Sequence, residues 1–185
     1  MKHLLAADLW EAGVEHLLQQ LNPWLQEHWQ TALVASDAEP LYLPADASRP
    51  YHEIHFAHGY FNSALHELAH WCVAGEARRQ LLDYGYWYAE DGRNADQQQQ
   101  FEQVEVYPQA IEWHLALACG RTFRVSADNL SLPNYDTLPF AMRVYDKAIS
   151  LRASGLSART ARLQQKLAEI YQTDLAKIEF VAPSR

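Results

Sequence analysis

Two histidines flank a glutamate in SALHELAHW, residues 63 to 71: His66, Glu67 and His70 in the spacing HExxH. A helix turns by about 100° per residue, so His66 and His70 fall on one face, one turn apart. Imidazoles placed in this way can grip a single divalent metal ion, and the intervening glutamate is the residue a zinc protease uses as general base. The same spacing also arises by chance in helices that hold no metal. Three features weigh against chance here. The helix is otherwise mostly apolar (Leu65, Leu68, Ala69, Trp71, Cys72, Val73), so bare imidazoles inside it need partners. A strand leads into it, and the small residues Ser63 and Ala64 leave room beside it.

A catalytic metal commonly takes three protein ligands and keeps an open position. The segment 96–120 offers Glu102, Glu105, Glu112 and His114 for the third. On one continuous helix Glu102, Glu105, Gln109 and Glu112 make a polar stripe. The plain expectation for Glu102 and Glu112 is a solvated face. Glu105 differs, because it sits in QVEVYPQA between Val104 and Val106, where a carboxylate has reason to aim at something specific. The pattern alone leaves open whether that something is a metal. His58 is placed to be a fourth ligand, a support for the metal or substrate, or a surface residue. His52 and His58 are expected to share a strand face with Ile54 and Phe56. His3, His16, His28 and His114 read as ordinary surface or helix residues. In DYGYWY, residues 83–88, Tyr84, Tyr86, Trp87 and Tyr88 are either packing or an aromatic wall for a cationic side chain, with Asp83, Glu90 and Asp91 nearby.

The elements that must position these groups read as one α+β domain spanning 1–185, with a small mixed sheet in the first third and helices packed around it. Helical spacing predicts a surface helix over 3–21 and, after Pro23, a short second helix to Gln30. TALVAS (31–36) is a buried strand, proline-bounded EPLYLPA (39–45) an edge strand, and YHEIHFAHG (51–59) a strand entering the HExxH helix, which is expected to run from Phe61 to Leu82. Asn94 or Asp96 caps a helix over 96–120 that Pro108 kinks or restarts and Gly120 ends. RTFRVSADN (121–129) is a further strand candidate, and 138–152 and 157–180 read as two helices.

Fifteen Lys and Arg against twenty-three Asp and Glu give a net charge of −8, which argues against a general nucleic-acid binder. The two cysteines, Cys72 and Cys119, lie in apolar helical surroundings and read as buried thiols. The N-terminus is amphipathic, not a signal peptide, and no stretch is long and apolar enough to span a membrane, so the expected compartment is the cytoplasm.

PLYLPADA (40–47), FAHGYFNSALHELAHWCVAG (56–75), ARRQLLDYGYWYAEDGR (77–93), FEQVEVYPQA (101–110) and FRVSADNL (123–130) together resemble the elongation factor P hydroxylases. The joint run, from about Glu39 to Leu130, is far more specific than HExxH alone. The resemblance implies a bacterial cytoplasmic enzyme that hydroxylates a lysine of elongation factor P already extended with a β-lysyl group. It implies one non-haem metal, Fe(II), held by two histidines and a carboxylate, in a fold similar to that of an RNA-processing metalloenzyme. Carried onto this chain, the ligands are His66, His70 and Glu105. From their place and chemistry in the chain, not from the resemblance, His58, Glu102, Tyr86 and Gln109 are the residues expected to touch substrate or support the ligands.

The chemistry agrees with that metal. Hydroxylating an unactivated C–H bond needs a strong oxidant, which redox-inert zinc cannot form, whereas ferrous iron on a two-histidine, one-carboxylate face leaves positions for O₂ and substrate. O₂ is then the co-substrate, and two further electrons come from a donor the sequence does not name. Arg78, Arg79 and Arg93 are available, but the sequence marks no convincing 2-oxoglutarate clamp among them. Glu67, the base of a peptidase, would here serve hydrogen bonding or proton delivery. The alternatives are a zinc metallopeptidase of the HExxH type, then a metal-dependent ribonuclease, then a non-catalytic binding module.

Overall fold

A computed structural model describes residues 10–82, 93–127 and 135–184. The chain forms two compact units, residues 1–85 and 86–185.

In the first unit, α1 spans Val14–Trp29. It runs straight through Pro23, so the expected break there is corrected, as is the expected start, because residues 10–13 are not helical. Val14, Leu17, Leu18, Leu21 and Leu25 continue one buried stripe past the proline. Five buried aliphatic side chains at about 1.5–3 kcal/mol each outweigh a proline cost of about 3 kcal/mol. Residues 1–9 lie outside the described residues.

Three strands follow: β1 (Thr31–Ser36), β2 (Leu41–Leu43) and β3 (His52–Ala57). The sheet order is β1-β3-β2, with β1 parallel and β2 antiparallel to β3, so the expected mixed sheet and the edge position of LYL both hold. The outer side of β1 is closed by α1. The Asn22 side chain accepts from the Leu33 N–H at 2.8 Å and donates to its carbonyl at 2.9 Å, pairing an edge that would otherwise seek another strand.

The turn from β3 into the next helix decides where the HExxH residues go. His58 and Gly59 both adopt left-handed backbone, at φ 52° and 64°. For glycine this is easy; for His58 it costs about 1–2 kcal/mol. His58 N–H still donates to Ser36 O at 2.7 Å, so the sheet ladder carries the chain up to the turn. α2 then spans Phe61–Val73. Tyr60, at its N-cap, gives no side-chain hydrogen bond; Glu11 supplies one, accepting from Phe61 N–H at 2.8 Å, where a negative group also suits the helix dipole. The expected extension of this helix to Leu82 is corrected. It ends at Ala74, whose ψ of 126° is not helical, and only a short 3₁₀ turn, Arg78–Gln80, follows Gly75.

In the second unit, α3 spans Ala95–Ala118 as one helix with Pro108 inside and no second start. Asn94 caps it through a capping box, accepting from Gln97 N–H while the Gln97 side chain accepts from Asn94 N–H. Asn94→Ala should therefore cost about 1 kcal/mol of stability, measurable as a lowered urea midpoint at unchanged m-value. Gly120, at φ 66°, follows the helix end as expected. α4 spans Leu138–Ser154 and α5 spans Ala158–Tyr171, shorter than the expected 157–180 because Gln172 turns left-handed at φ 55° and accepts no further helical residue. Phe140, Val144, Ala148, Leu163 and Leu167 build the core against Ile111 and Leu115 of α3. Trp113 stacks on Phe123 at 4.9 Å and meets Phe180 at 5.6 Å, which docks both irregular flanks of the helix bundle.

No strand forms over 121–127. The expected strand is corrected, and the reason is visible. Its backbone is hydrogen-bonded by side chains of α3 rather than by a neighbouring strand: Gln109 donates to Ser126 O and accepts from Ser126 N–H, and Gln98 donates to Ala127 O.

Candidate metal centre

α2 has two sides. Ala64, Leu65, Leu68, Ala69, Trp71 and Cys72 are buried in the first unit, and Trp71 meets Trp29 edge-on at 5.5 Å. His66, Glu67 and His70 are half-buried. The Ser63 hydroxyl accepts from Ala57 N–H at 2.9 Å, tying the last residue of β3 to the first turn of α2 one turn before His66. The two imidazoles converge. His66 Nε2 and His70 Nε2 lie 3.0 Å apart, with ring centroids 4.6 Å apart and planes at 73°. Without a cation such a contact needs one N–H and one lone pair. With two lone pairs converging it fits a cation, since adjacent nitrogens bonded to one metal at about 2.1 Å sit about 3 Å from each other.

The polar stripe of α3 is buried along its length: Glu102, Glu105, Gln109 and Glu112 are 2%, 4%, 1% and 8% exposed. The expectation of a solvated face for Glu102 and Glu112 is therefore corrected. Glu102 accepts from Arg143 Nη2 at 2.6 Å and from Gln98 Nε2 at 3.4 Å. Tyr135 also bonds to it, and burial together with that bond pushes the phenol up to about 12, so it stays protonated. Glu105 accepts from Gln109 Nε2 at 3.3 Å. Among the described residues, His66, His70 and Glu105 form a group that could hold a metal ion. Two neutral nitrogen donors and one anionic oxygen donor suit a borderline divalent cation.

The remaining histidines separate cleanly. His58 is exposed at the turn, its ring 5.8 Å from that of Tyr60, and the left-handed backbone takes it off the β3 alternation, which corrects the shared face expected with Ile54 and Phe56. His52 accepts from Ala45 N–H and stacks on Tyr42; burial, and then Arg79, holds it below the usual imidazole range. His55 pairs with Glu53 at 2.9 Å. His16 and His28 are exposed, as expected. His114 is not a surface residue: it is 2% exposed, with Nε2 facing Ala148 O at 3.0 Å and Nδ1 facing Gln164, and burial depresses its pKa. Core helices on both sides of α3 explain this, and the apolar run around His114 was the signal for it.

Arg93, one of the available cations, is buried instead, donating to Gln98 and Ala127 and lying 3.9 Å over the Phe101 ring. Cys72 and Cys119 are buried and not joined in a disulfide, and burial pushes Cys119 up to about 12, which keeps it unreactive. Tyr86, with the rest of the aromatic run at 83–88 and with Glu90 and Asp91, lies outside the described residues. The glutamine clamps at 98 and 109 and the Glu11 cap went unread; a glutamine four residues from a glutamate on one helix, at both 98/102 and 105/109, was the available signal.

No helix among the described residues is long and apolar enough to cross a membrane. The family profile described as Elongation factor P hydroxylase matches residues 21–180. A protein named Elongation factor P lysine hydroxylase from Haemophilus influenzae is 45% identical over 164 residues, covering 89% of this chain and 92% of the relative.

Proposed function

We infer the function from a plain premise, that this chain belongs to the elongation factor P hydroxylase family: it is an enzyme that hydroxylates a lysine side chain of elongation factor P. The observation that carries this is the 45% identity spread over nearly the whole of both chains. Both the family and the Haemophilus protein are named hydroxylases, and neither lends support to the peptidase alternative.

The finer reading is ours. The substrate is the lysine after its extension with a β-lysyl group, and the reaction turns one C–H bond into C–OH. One atom of O₂ enters the product and the other leaves as water, with two electrons and two protons drawn from a reductant. Bound Fe(II) would supply the redox chemistry with O₂ that a closed-shell ion lacks. The rest falls to the chain. His66 and His70 present paired Nε2 atoms that would bind the ion from one turn of α2. Glu105 would add an anionic oxygen, offsetting one of the two positive charges. Glu67, which lies between the histidines in sequence and is half-buried, would serve hydrogen bonding or proton delivery beside them. Glu102 is engaged by Arg143, so among the described acids of α3 it is the less suited to bind the ammonium groups of the substrate. Because elongation factor P is a translation factor, the enzyme works in the cytoplasm.

The test is direct. Purified protein loaded anaerobically with Fe(II) is mixed with β-lysylated elongation factor P, a chemical reductant and ¹⁸O₂. The modified peptide should gain one labelled oxygen. Protein that binds iron yet leaves the peptide mass unchanged, or inserts oxygen from water, would overturn the proposal.

A further inference from the structure

Gln109 is 1% exposed, and its amide is spoken for at every edge. Nε2 donates to Glu105 Oε2 at 3.3 Å and to Ser126 O at 2.8 Å, while Oε1 accepts from Ser126 N–H at 3.0 Å. A side-chain amide has two N–H donors and one acceptor oxygen. The two-point contact with Ser126 fixes which way the amide faces, because a flipped amide would set a donor against the Ser126 N–H and an acceptor against its carbonyl. The group turned toward Glu105 is therefore always a donor. About three turns earlier on α3, Gln98 repeats the arrangement with other partners. It donates to Glu102 at 3.4 Å and to Ala127 O at 2.9 Å, and accepts from Arg93 Nε at 3.0 Å. Thus both glutamines clamp the 126–127 backbone onto α3, but only Gln109 reaches Glu105.

We propose that Gln109 is a positioning residue: held rigidly by Ser126, it fixes the rotation of the Glu105 carboxylate so that the acid is preset for metal binding. This rests on the reading of Glu105 as a ligand. A carboxylate locked by a charge-assisted hydrogen bond loses less rotational freedom when it takes up an ion, and removal of such a support commonly weakens a metal about 10- to 100-fold.

Gln98 provides the control that separates positioning from mere structure, since Gln98→Leu breaks the same backbone clamp without touching Glu105. Co(II) is titrated into the intact protein under anaerobic conditions, followed by its visible absorption and by calorimetry. Gln109→Leu should raise the Co(II) Kd about 10- to 100-fold and shift the absorption bands, while Gln98→Leu stays within about 3-fold of wild type. Should Gln109→Leu fail to fold, Gln109→Asn keeps the amide but withdraws it by one methylene, and should lose affinity by an intermediate factor with the fold retained. Wild-type affinity and spectrum in the folded Gln109 variant would overturn the proposal, as would an equal loss in Gln98→Leu. If the wild-type protein binds no Co(II), or His66→Ala binds it undiminished, it is the ligand set that has failed, and the role of Gln109 falls with it.

Discussion

Replacing His66 with alanine is expected to leave a folded protein that has lost its activity. Hydroxylation of β-lysylated elongation factor P should fall by at least about 10³-fold, or roughly 4 kcal/mol of transition-state stabilisation, and bound iron should drop from near one per chain to background. His66 Nε2 and His70 Nε2 lie 3.0 Å apart on one turn of α2, so each would supply one of two neighbouring positions around an ion, and neither alone would define the site. The fold has little stake in the substitution. His66 is half-buried, unlike the fully buried Leu65, Leu68 and Ala69, and alanine is the best helix former. The metal-free variant should therefore unfold within about 1 kcal/mol of the metal-free wild type. Far-ultraviolet circular dichroism, a urea titration and elemental analysis read the two effects separately. A variant that keeps its iron and its activity would remove the centre proposed here.

That the two imidazoles of α2 would converge was legible because HExxH is a local pattern: spacing alone puts the two rings on one face. The sheet was legible for a similar reason. TALVAS and HEIHFA carry their own signals, and the short, proline-bounded LYL declared itself an edge. What the sequence did not give up is long-range. Glu102 and His114 look solvated because polar groups on a helix normally face water, yet Arg143, Tyr135, Ala148 and Gln164 come from elements about 30 to 50 residues away and satisfy them in the interior. Pro23 and Pro108 failed to break their helices for the converse reason, that burial on either side outweighs a local cost. The segment 121–127 looked like a strand because its residues favour extended backbone. Extended backbone needs hydrogen-bond partners but not necessarily strands, and two glutamine side chains serve here.

The same contrast between the acids of α3 yields the second large effect, at Glu105. Glu102 and Glu105 are almost equally buried, so burial does not choose between them; their partners do. Glu102 faces the Arg143 guanidinium at 2.6 Å, and an acid so neutralised has little left to offer a cation. Glu105 accepts a hydrogen bond from the Gln109 amide, which orients its carboxylate. Glu105→Gln preserves side-chain volume but removes the anionic oxygen. It should weaken Fe(II) or Co(II) by about 100-fold or more, a loss above that expected for supporting residues, and cut hydroxylation in parallel. Glu102→Gln should do the reverse: metal affinity stays close to wild type, while stability falls by about 1–3 kcal/mol because Arg143 loses its charged partner. Arg143 is nearly half exposed, which keeps that cost below the figure for a fully buried pair. If the two variants exchange behaviours, with Glu102→Gln losing the metal and Glu105→Gln keeping it, the third ligand lies one turn earlier on α3, and Arg143 must release Glu102 before an ion can bind.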